Sequence, residues 1–331
     1  MLGYVVDDDG SARSASWAGL PDPVPAADGV VVRVRAAAVA WSDVLQVEGR
    51  YAVAQHALPF VAGHEFAGEV VAVGSETRWA VGDRVFGLLD QPGAFAELVA
   101  APGWAVRRTP PELSDIEASA FTTSFLTADA ALMAVGRLSQ GETVLINAAA
   151  GGVGRSAVQL ARIYGAGVVL ATAGTRERQT MAVRLGATAA AGYAEIGALV
   201  RENTKGRGCD VVLESVGGSV FDDSLNSLAP LGRLVTIGAS AEEAPSPIKL
   251  PKLWAGSISV GGVHIGRLLG SRNAHLEASW ARLTSLLEAG AIRPEVGQVV
   301  LPSELATGFS SLHDRSVDGR VVVDLSQGAR T

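Results

Sequence analysis

Cysteine is almost missing: one residue, Cys209, in a chain of 331. That excludes an intrachain disulfide framework and any zinc site that needs two or more thiolates. Lysine is nearly as scarce. Lys205, Lys249 and Lys252 are the only three among 27 basic residues, the other 24 being arginine. These cations are scattered, and 34 acidic residues leave a net charge of −7, which argues against a nucleic-acid-binding surface. Aromatic residues make up only 5%. No apolar run approaches the roughly 18 residues of a membrane span. The opening, MLGYVVDDDG, is acidic where a signal peptide would be basic. The expectation is a soluble cytoplasmic protein with neither a nucleic-acid nor a membrane partner.

Glycine is plentiful, with 39 residues, about 12% of the chain against an average of about 7%. It follows no collagen-like period, so it marks tight turns and close backbone approaches. At roughly 100–200 residues per domain the length predicts two domains.

Residues 1–120 read mainly as short β segments. The stretch 30–39 is rich in β-branched residues, with Arg33 and Arg35 alternating outward as on a half-buried strand. Residues 69–73 and 84–88 are two more strands, separated by Gly74-Ser75 and Gly82-Asp83. This spacing predicts a twisted barrel or partly open sheet. Helical periodicity shows at 42–48 and 112–120. Beyond about residue 120 strands and helices alternate: strands at 143–147, 168–172, 210–214 and 233–237, helices at 155–164, 176–185 and 194–202. Alternation with short connections predicts an α/β fold with a doubly wound parallel sheet. Strand texture returns at 296–300 and 320–325, beyond a helix at 274–289. The α/β domain, 123–262, is therefore expected as an insert in a barrel domain made of 1–122 and 263–331.

The strand TVLIN runs into Ala149-Ala150-Gly151-Gly152-Val153-Gly154 and then a helix. This is GxGxxG with Ala for the first Gly, in the strand–turn–helix context that a dinucleotide site requires. Gly151 and Gly152 let backbone approach a pyrophosphate, and Gly154 permits close packing of helix on strand. The helix N-terminus supplies free N–H groups and a favourable dipole. About 20 residues further on, an NAD site places an acid for the ribose 2′-OH, whereas an NADP site avoids it and supplies cations. Here the second strand ends in Ala173-Gly174-Thr175-Arg176-Glu177-Arg178. Gly174 stands at the strand end, and Thr175, Arg176 and Arg178 suit a 2′-phosphate, so NADPH is favoured over NADH. Glu177 is the contrary residue, and its alternative role is helix N-terminal capping.

Three motifs together, GHEFAGEV (63–70), VGDRVFG (81–87) and NAAAGGVG (147–154), resemble the medium-chain dehydrogenase/reductase superfamily in order and spacing over nearly the whole chain. AAAGGVG followed by SAVQLAR is most similar to the zinc-free quinone oxidoreductases and the enoyl reductases of polyketide synthesis. The resemblance implies a GroES-like β-barrel domain, a Rossmann domain, NADPH, and hydride transfer to an activated C=C bond or a quinone. It also places Thr127 near the nicotinamide, Arg178 at the 2′-phosphate and Tyr193 at the far edge of the adenosine site. Gly217 and Gly238 match strand ends where backbone passes the nicotinamide half. The edge strand at 257–263 matches one that relatives pair across a two-fold axis, which implies a homodimer.

Zinc-dependent relatives take ligands at three positions, which here are Ala40, His64 and Thr123, with Glu65 adjacent to the second. One ligand of three falls short of the three protein ligands that catalytic zinc requires. His64 is then expected as a hydrogen-bonded residue of a barrel turn. Without a Lewis acid, direct alcohol oxidation loses its support and reduction of a conjugated C=C remains. Hydride adds to the β-carbon, hydrogen bonds stabilise an enolate, and a proton arrives at the α-carbon. The stretch DVLQVEGRY, ending at Tyr51, resembles the segment of polyketide enoyl reductases with a tyrosine near the substrate α-carbon, making Tyr51 the donor. The alternative is a barrel tyrosine, with solvent as the proton source. Two other readings stand beside this one, a zinc-type alcohol dehydrogenase and a catalytically idle NADPH-binding protein. Cys209 is expected in the core and His56, His275 and His313 at the surface, while the resemblance places His264 near the cleft without making it a substrate contact. Asp129 stands where relatives often carry an aromatic residue.

Overall fold

The run Gly29–Val39, eleven residues with only Arg33 exposed and Arg35 half-buried, is the longest strand among the described residues. The computed structural model describes residues 1–8, 13–51, 53, 56–241, 247–272 and 274–329. The chain opens with β1 (Leu2–Asp8), β2 (Arg13–Gly19), β3 (Gly29–Val39) and helix α1 (Trp41–Val47). Next come β4 (Phe60–Val61), β5 (Glu65–Val73), β6 (Arg84–Leu88), β7 (Leu98–Pro102), β8 (Val106–Arg108), α2 (Asp115–Ser119) and α3 (Thr122–Asp129), which runs into a π-helical turn at Ala130–Val135. The α/β segment follows: β9 (Thr143–Ile146), α4 (Gly152–Ile163), β10 (Val168–Thr172), α5 (Arg176–Arg184), β11 (Ala189–Ala191), α6 (Ile196–Thr204), β12 (Cys209–Glu214), α7 (Gly218–Asn226) and β13 (Leu228–Thr236). The chain closes with α8 (Leu250–Gly256), β14 (Ser259–Gly262), α9 (Ile265–Ser271), α10 (Ala274–Glu288), β15 (Val296–Val300), α11 (Leu305–His313) and β16 (Arg320–Asp324).

The chain divides into two compact units, Met1–Thr123 with Leu287–Thr331, and Ser124–Leu286. In the first, β15-β16-β3-β5-β6-β8 form one sheet with β7 also on β3, and β2-β1-β4 form a second. Valine and phenylalanine fill this GroES-like unit: Val32, Phe66, Val85, Phe95, Val106, Val321 and Val323 are buried together. Each such side chain is worth about 1.5–3 kcal/mol on burial. The helix expected at 112–120 shortens to Asp115–Ser119 because Ser114 caps it, its Oγ accepting the N–H of Glu117 at 3.2 Å.

In the second unit six strands run in the order β11-β10-β9-β12-β13-β14. Every neighbouring pair is parallel. Strand order reverses at β9, so the crevice beyond the carboxyl ends of β9 and β12 is the topological switch point of a Rossmann-like sheet. The second boundary falls at Leu286 rather than the expected 262. The reason lies in α10: Ser279 Oγ donates to Asp129 Oδ2 at 2.5 Å, and Arg282 pairs with both oxygens of Asp129 at 2.9 and 2.6 Å. That buried carboxylate on α3 ties α10 to the sheet unit.

Candidate functional site

The turn after β9 is built around close backbone contacts. Ala148 takes a left-handed φ of +49°, the N–H of Ala149 donates to Thr172 O at 2.9 Å, and that of Gly151 donates to Ala148 O at 2.9 Å. A Cβ on Gly154 would stand 2.2 Å from Ala148 O and 2.7 Å from the Cα of Ala149, so only glycine lets the helix approach its own strand. Exposed Gly151 is the N-cap of the 12-residue α4, with half-buried Gly152 and Val153 in the first turn and no acidic residue there. The N–H groups of the first turn and the helix dipole give this end of α4 the character that suits an anion. Arg155, buried, braces the turn by donating from Nε to Ala150 O at 2.8 Å. Beneath it Asn147 donates to Ser224 Oγ at 2.6 Å and accepts from Thr172 Oγ1 at 2.7 Å, a link between three elements. In the sequence Asn147 stood within the quoted motif and Arg155 at the start of the expected helix, but neither was given a role. Their signal was a polar residue at each end of an otherwise small, apolar loop.

At the end of β10, Ala173 is buried while Gly174, Thr175 and Arg176 are exposed and Arg178 is half-buried. Thr175 is the N-cap of α5, its Oγ1 accepting the N–H of Arg178 at 3.3 Å. The cap therefore belongs to Thr175 and not to Glu177, which lies exposed in the first turn. A Cβ on Gly174 would meet Cε2 of Tyr193 at 3.8 Å, so those two candidates share one corner of the sheet rim. On the other side of β9, Gly217 has φ +85° at the N-cap of α7, a conformation that favours glycine. Exposed Gly238 follows β13, and Thr127 is buried in α3 at 6% exposure. Glu214, an acid at the end of the apolar run CDVVLE, was not singled out in the sequence. It is fully buried, and its Oε1 accepts the N–H groups of Val216 at 2.7 Å and Gly217 at 3.0 Å.

Tyr51 belongs to the barrel unit, where α1 organises a cluster of titratable groups. Asp43, 2% exposed, accepts the N–H of Ala40 through Oδ2 at 2.8 Å, and its Oδ1 lies 2.8 Å from His64 Nδ1. The N–H of Tyr51 donates to Leu45 O at 3.1 Å. Its half-buried phenol is held above the ordinary tyrosine range by burial and by the Asp43 charge, so it carries its proton at neutral pH. His56 was expected at the surface. It is half-buried instead, its ring centroid 6.3 Å from that of His64, and burial together with His64 lowers its pKa.

The residues at the three metal-ligand positions do not fit zinc. Ala40 has no donor atom, and Thr123 offers a neutral hydroxyl in place of a thiolate. Glu65, fully buried, is occupied by the N–H of Thr123 at 2.8 Å and by Arg320 Nη2 at 2.7 Å. Among the described residues no group of three or more His, Cys, Asp or Glu is placed to hold a metal ion.

Cys209 begins β12 fully buried, its thiol pushed up to about 12 by burial and by Asp210. His264 caps α9, its Nδ1 accepting the N–H of Arg267 at 3.1 Å, a local structural role. His275 and His313 are exposed. Asp129 gains a physical account: besides Ser279 and Arg282 it accepts Tyr164 Oη at 2.5 Å, so three partners satisfy one buried carboxylate.

Comparison with known proteins gives two family models, the alcohol dehydrogenase GroES-like domain over residues 26–111 and the zinc-binding dehydrogenase over 152–287. A quinone oxidoreductase-like protein 2 homolog of Nematostella vectensis is 32% identical over 303 residues, covering 90% of this chain and 82% of that protein. The quinone oxidoreductase of Thermus thermophilus, solved also in complex with NADPH, superposes with a TM-score of 0.83 at 35% identity, over 98% of this chain and 100% of that one. The CurK enoyl reductase superposes with a TM-score of 0.86 at 27% identity, over 97% and 99% respectively.

Proposed function

Since the chain belongs to the medium-chain dehydrogenase/reductase superfamily, in its quinone oxidoreductase-like branch, we propose that it is an NADPH-dependent reductase working without zinc. Its acceptor is the activated C=C of an α,β-unsaturated carbonyl, as an enone or enoyl thioester, or a quinone. The observation that carries this reading is the rim of the parallel sheet. A glycine-lined helix N-terminus at Gly151 stands beside a strand end with no acid, followed by Thr175, Arg176 and Arg178. The complex of the Thermus quinone oxidoreductase with NADPH supports the cofactor assignment.

NADPH, when bound, supplies the hydride. Ala149 and Gly151 shape the turn against the pyrophosphate, and the first-turn N–H groups of Gly152, Val153 and Gly154, which have no intrahelical partner, would hold it. Thr175, Arg176 and Arg178 bind the 2′-phosphate, and Gly174 and Tyr193 flank the adenosine. Thr127, Gly217 and Gly238 face the nicotinamide half. Tyr51 gives its proton to the α-carbon as the enolate collapses and regains one from solvent, while burial and the Asp43 charge keep the phenol in its acid form beforehand.

The same reading places the enzyme in the cytoplasm as a homodimer. Among the described residues no helix is long and apolar enough to cross a membrane. Among the described residues β14 closes the sheet with β13 alone beside it, which leaves an edge for a second copy. Leu250 and Trp254, each 74% exposed on the preceding α8, and Leu231, 77% exposed, supply apolar surface for the same contact. Light scattering tests the assembly, and a monomer rejects it. The function is tested by following NADPH oxidation with a panel of quinones, conjugated ketones and enoyl thioesters. Turnover with one class is expected. Tight NADPH binding with no turnover on any of them favours an idle binding protein.

A further inference from the structure

We infer that Glu214 is a positioning residue for the nicotinamide half of the dinucleotide, acting through the backbone of the β12–α7 turn. The inference rests on the dinucleotide-binding reading above and adds to it a buried residue that no motif contains.

Glu214 ends β12, the neighbour of β9 across the switch point, so the turn that follows it forms one lip of the crevice in which such sheets bind their ligands. The adenosine corner, with Gly174 and Tyr193, lies on the opposite side of β9, at β10 and β11. A dinucleotide whose pyrophosphate rests on the α4 N-terminus then lays its other half along the β12 and β13 strand ends. The turn after β12 is set by one side chain, and the end of β13 is fastened to it through backbone, with Thr236 Oγ1 also donating to Gly238 O at 3.2 Å. Oε1 of Glu214 accepts from Val216 and Gly217, fixing the turn whose Gly217 takes φ +85° and Gly218 φ +53°. The Glu214 carbonyl accepts the N–H of Ile237 at 2.9 Å. The carbonyls of Ser215 and Val216 accept from Ser240 at 3.0 Å and Ala241 at 2.7 Å. The Gly238 segment is thus laced to the turn that Glu214 sets, and both glycines expected at the nicotinamide depend on it.

The chemistry of the carboxyl fits an anchor and not an acid–base group. Its second oxygen, Oε2, is buried without a hydrogen-bond partner, and burial raises its proton affinity against the pull of the N–H groups. A carboxyl and a carboxamide share their planar shape and an oxygen that accepts from N–H groups, so glutamine is the conservative replacement.

The test compares E214A and E214Q by calorimetric titration with NADPH and with 2′,5′-ADP, which carries only the adenosine half. For E214A the NADPH Kd is expected to rise about tenfold, the loss of one or two hydrogen-bond anchors, while the 2′,5′-ADP Kd stays within about twofold. E214Q is expected to hold both constants within about threefold of the parent. A purely structural role weakens both ligands alike. That outcome, unchanged NADPH binding by E214A, or an E214Q as impaired as E214A overturns the assignment. Should E214A not fold, E214D, which retracts the carboxyl by one methylene, is read by the same criteria. If the parent protein itself binds neither ligand, the dinucleotide reading fails, and the role of Glu214 fails with it.

Discussion

His64 and Asp43 hold each other, Nδ1 to Oδ1 at 2.8 Å, with the carboxylate anchored in turn on the N–H of Ala40. In this chain the Gly-His-Glu turn fastens β5 to its surroundings. His64 takes α1, and Glu65 takes the start of α3 and Arg320 of β16. At the positions that would have to gather around a catalytic zinc, Ala40 offers no donor atom, Thr123 no thiolate, and Glu65 is taken by Thr123 and Arg320, so His64 lacks the further ligands zinc requires.

Chelator-treated protein is therefore expected to keep its full NADPH-dependent activity, with zinc far below one equivalent. Metal analysis alongside the activity assay checks this. Stoichiometric zinc whose removal abolishes turnover sinks the zinc-independent account.

Arg178 is held at the start of α5 by the Thr175 cap and carries the charge that suits a 2′-phosphate. In R178D, loss of a charge-assisted contact worth about 1.5–3 kcal/mol should raise the KM for NADPH by about 10–100-fold. The KM for NADH, which has no such phosphate, should change by no more than about twofold on the same grounds. Equal effects on the two cofactors contradict the assignment.

Much of this rim was legible before any coordinates, because its signals are local. AAAGGVG after an apolar strand, and a strand end free of acids, are short-range facts about backbone reach and charge. The nested layout was legible too, since strand and helix periodicities alternate only in the middle of the chain. Pairings distant in sequence were not. Asp129 meets Arg282 across 153 positions, and Glu65 meets Arg320 across 255. No periodicity announces such contacts. The π-helical turn Ala130–Val135 was also hidden, because it lies in an apolar stretch without a breaker until Gly136, whose N–H closes it on Ala131 O at 2.8 Å.

Asp129 supports a stability prediction. Removing it in D129A leaves the Arg282 guanidinium without its carboxylate beside a Tyr164 hydroxyl and a Ser279 hydroxyl that lose their acceptor. Asp129 is fully buried but the Arg282 side chain is 34% exposed, so solvent screens part of the loss: the cost should be about 1–3 kcal/mol, below that of a fully buried pair, and thermal unfolding should shift down accordingly. A shift of less than about 1 kcal/mol would show that the network is not a structural anchor.

Tyr51 offers a test of the proton path. Y51F is expected to lower kcat on a conjugated enone by about 10²–10⁴-fold, with little change in KM for NADPH. Burial and the Asp43 charge raise the pKa of Tyr51, so its acid form persists above the ordinary value of about 10. The parent activity should accordingly fall on the basic side only above that value, and Y51F should lack this limb. If Y51F keeps the parent kcat and product stereochemistry, solvent delivers the proton.

The proposed reaction is hydride delivery from NADPH to carbon without a metal. The most direct measurement uses NADPH deuterated at the transferring position of the nicotinamide, chelator-treated protein and a conjugated enone or enoyl thioester, with the product read by mass spectrometry and NMR. The expected product carries one deuterium at the β-carbon and a solvent-derived proton at the α-carbon. A product with no deuterium at the β-carbon, or formation of product only after zinc is restored, would contradict the account.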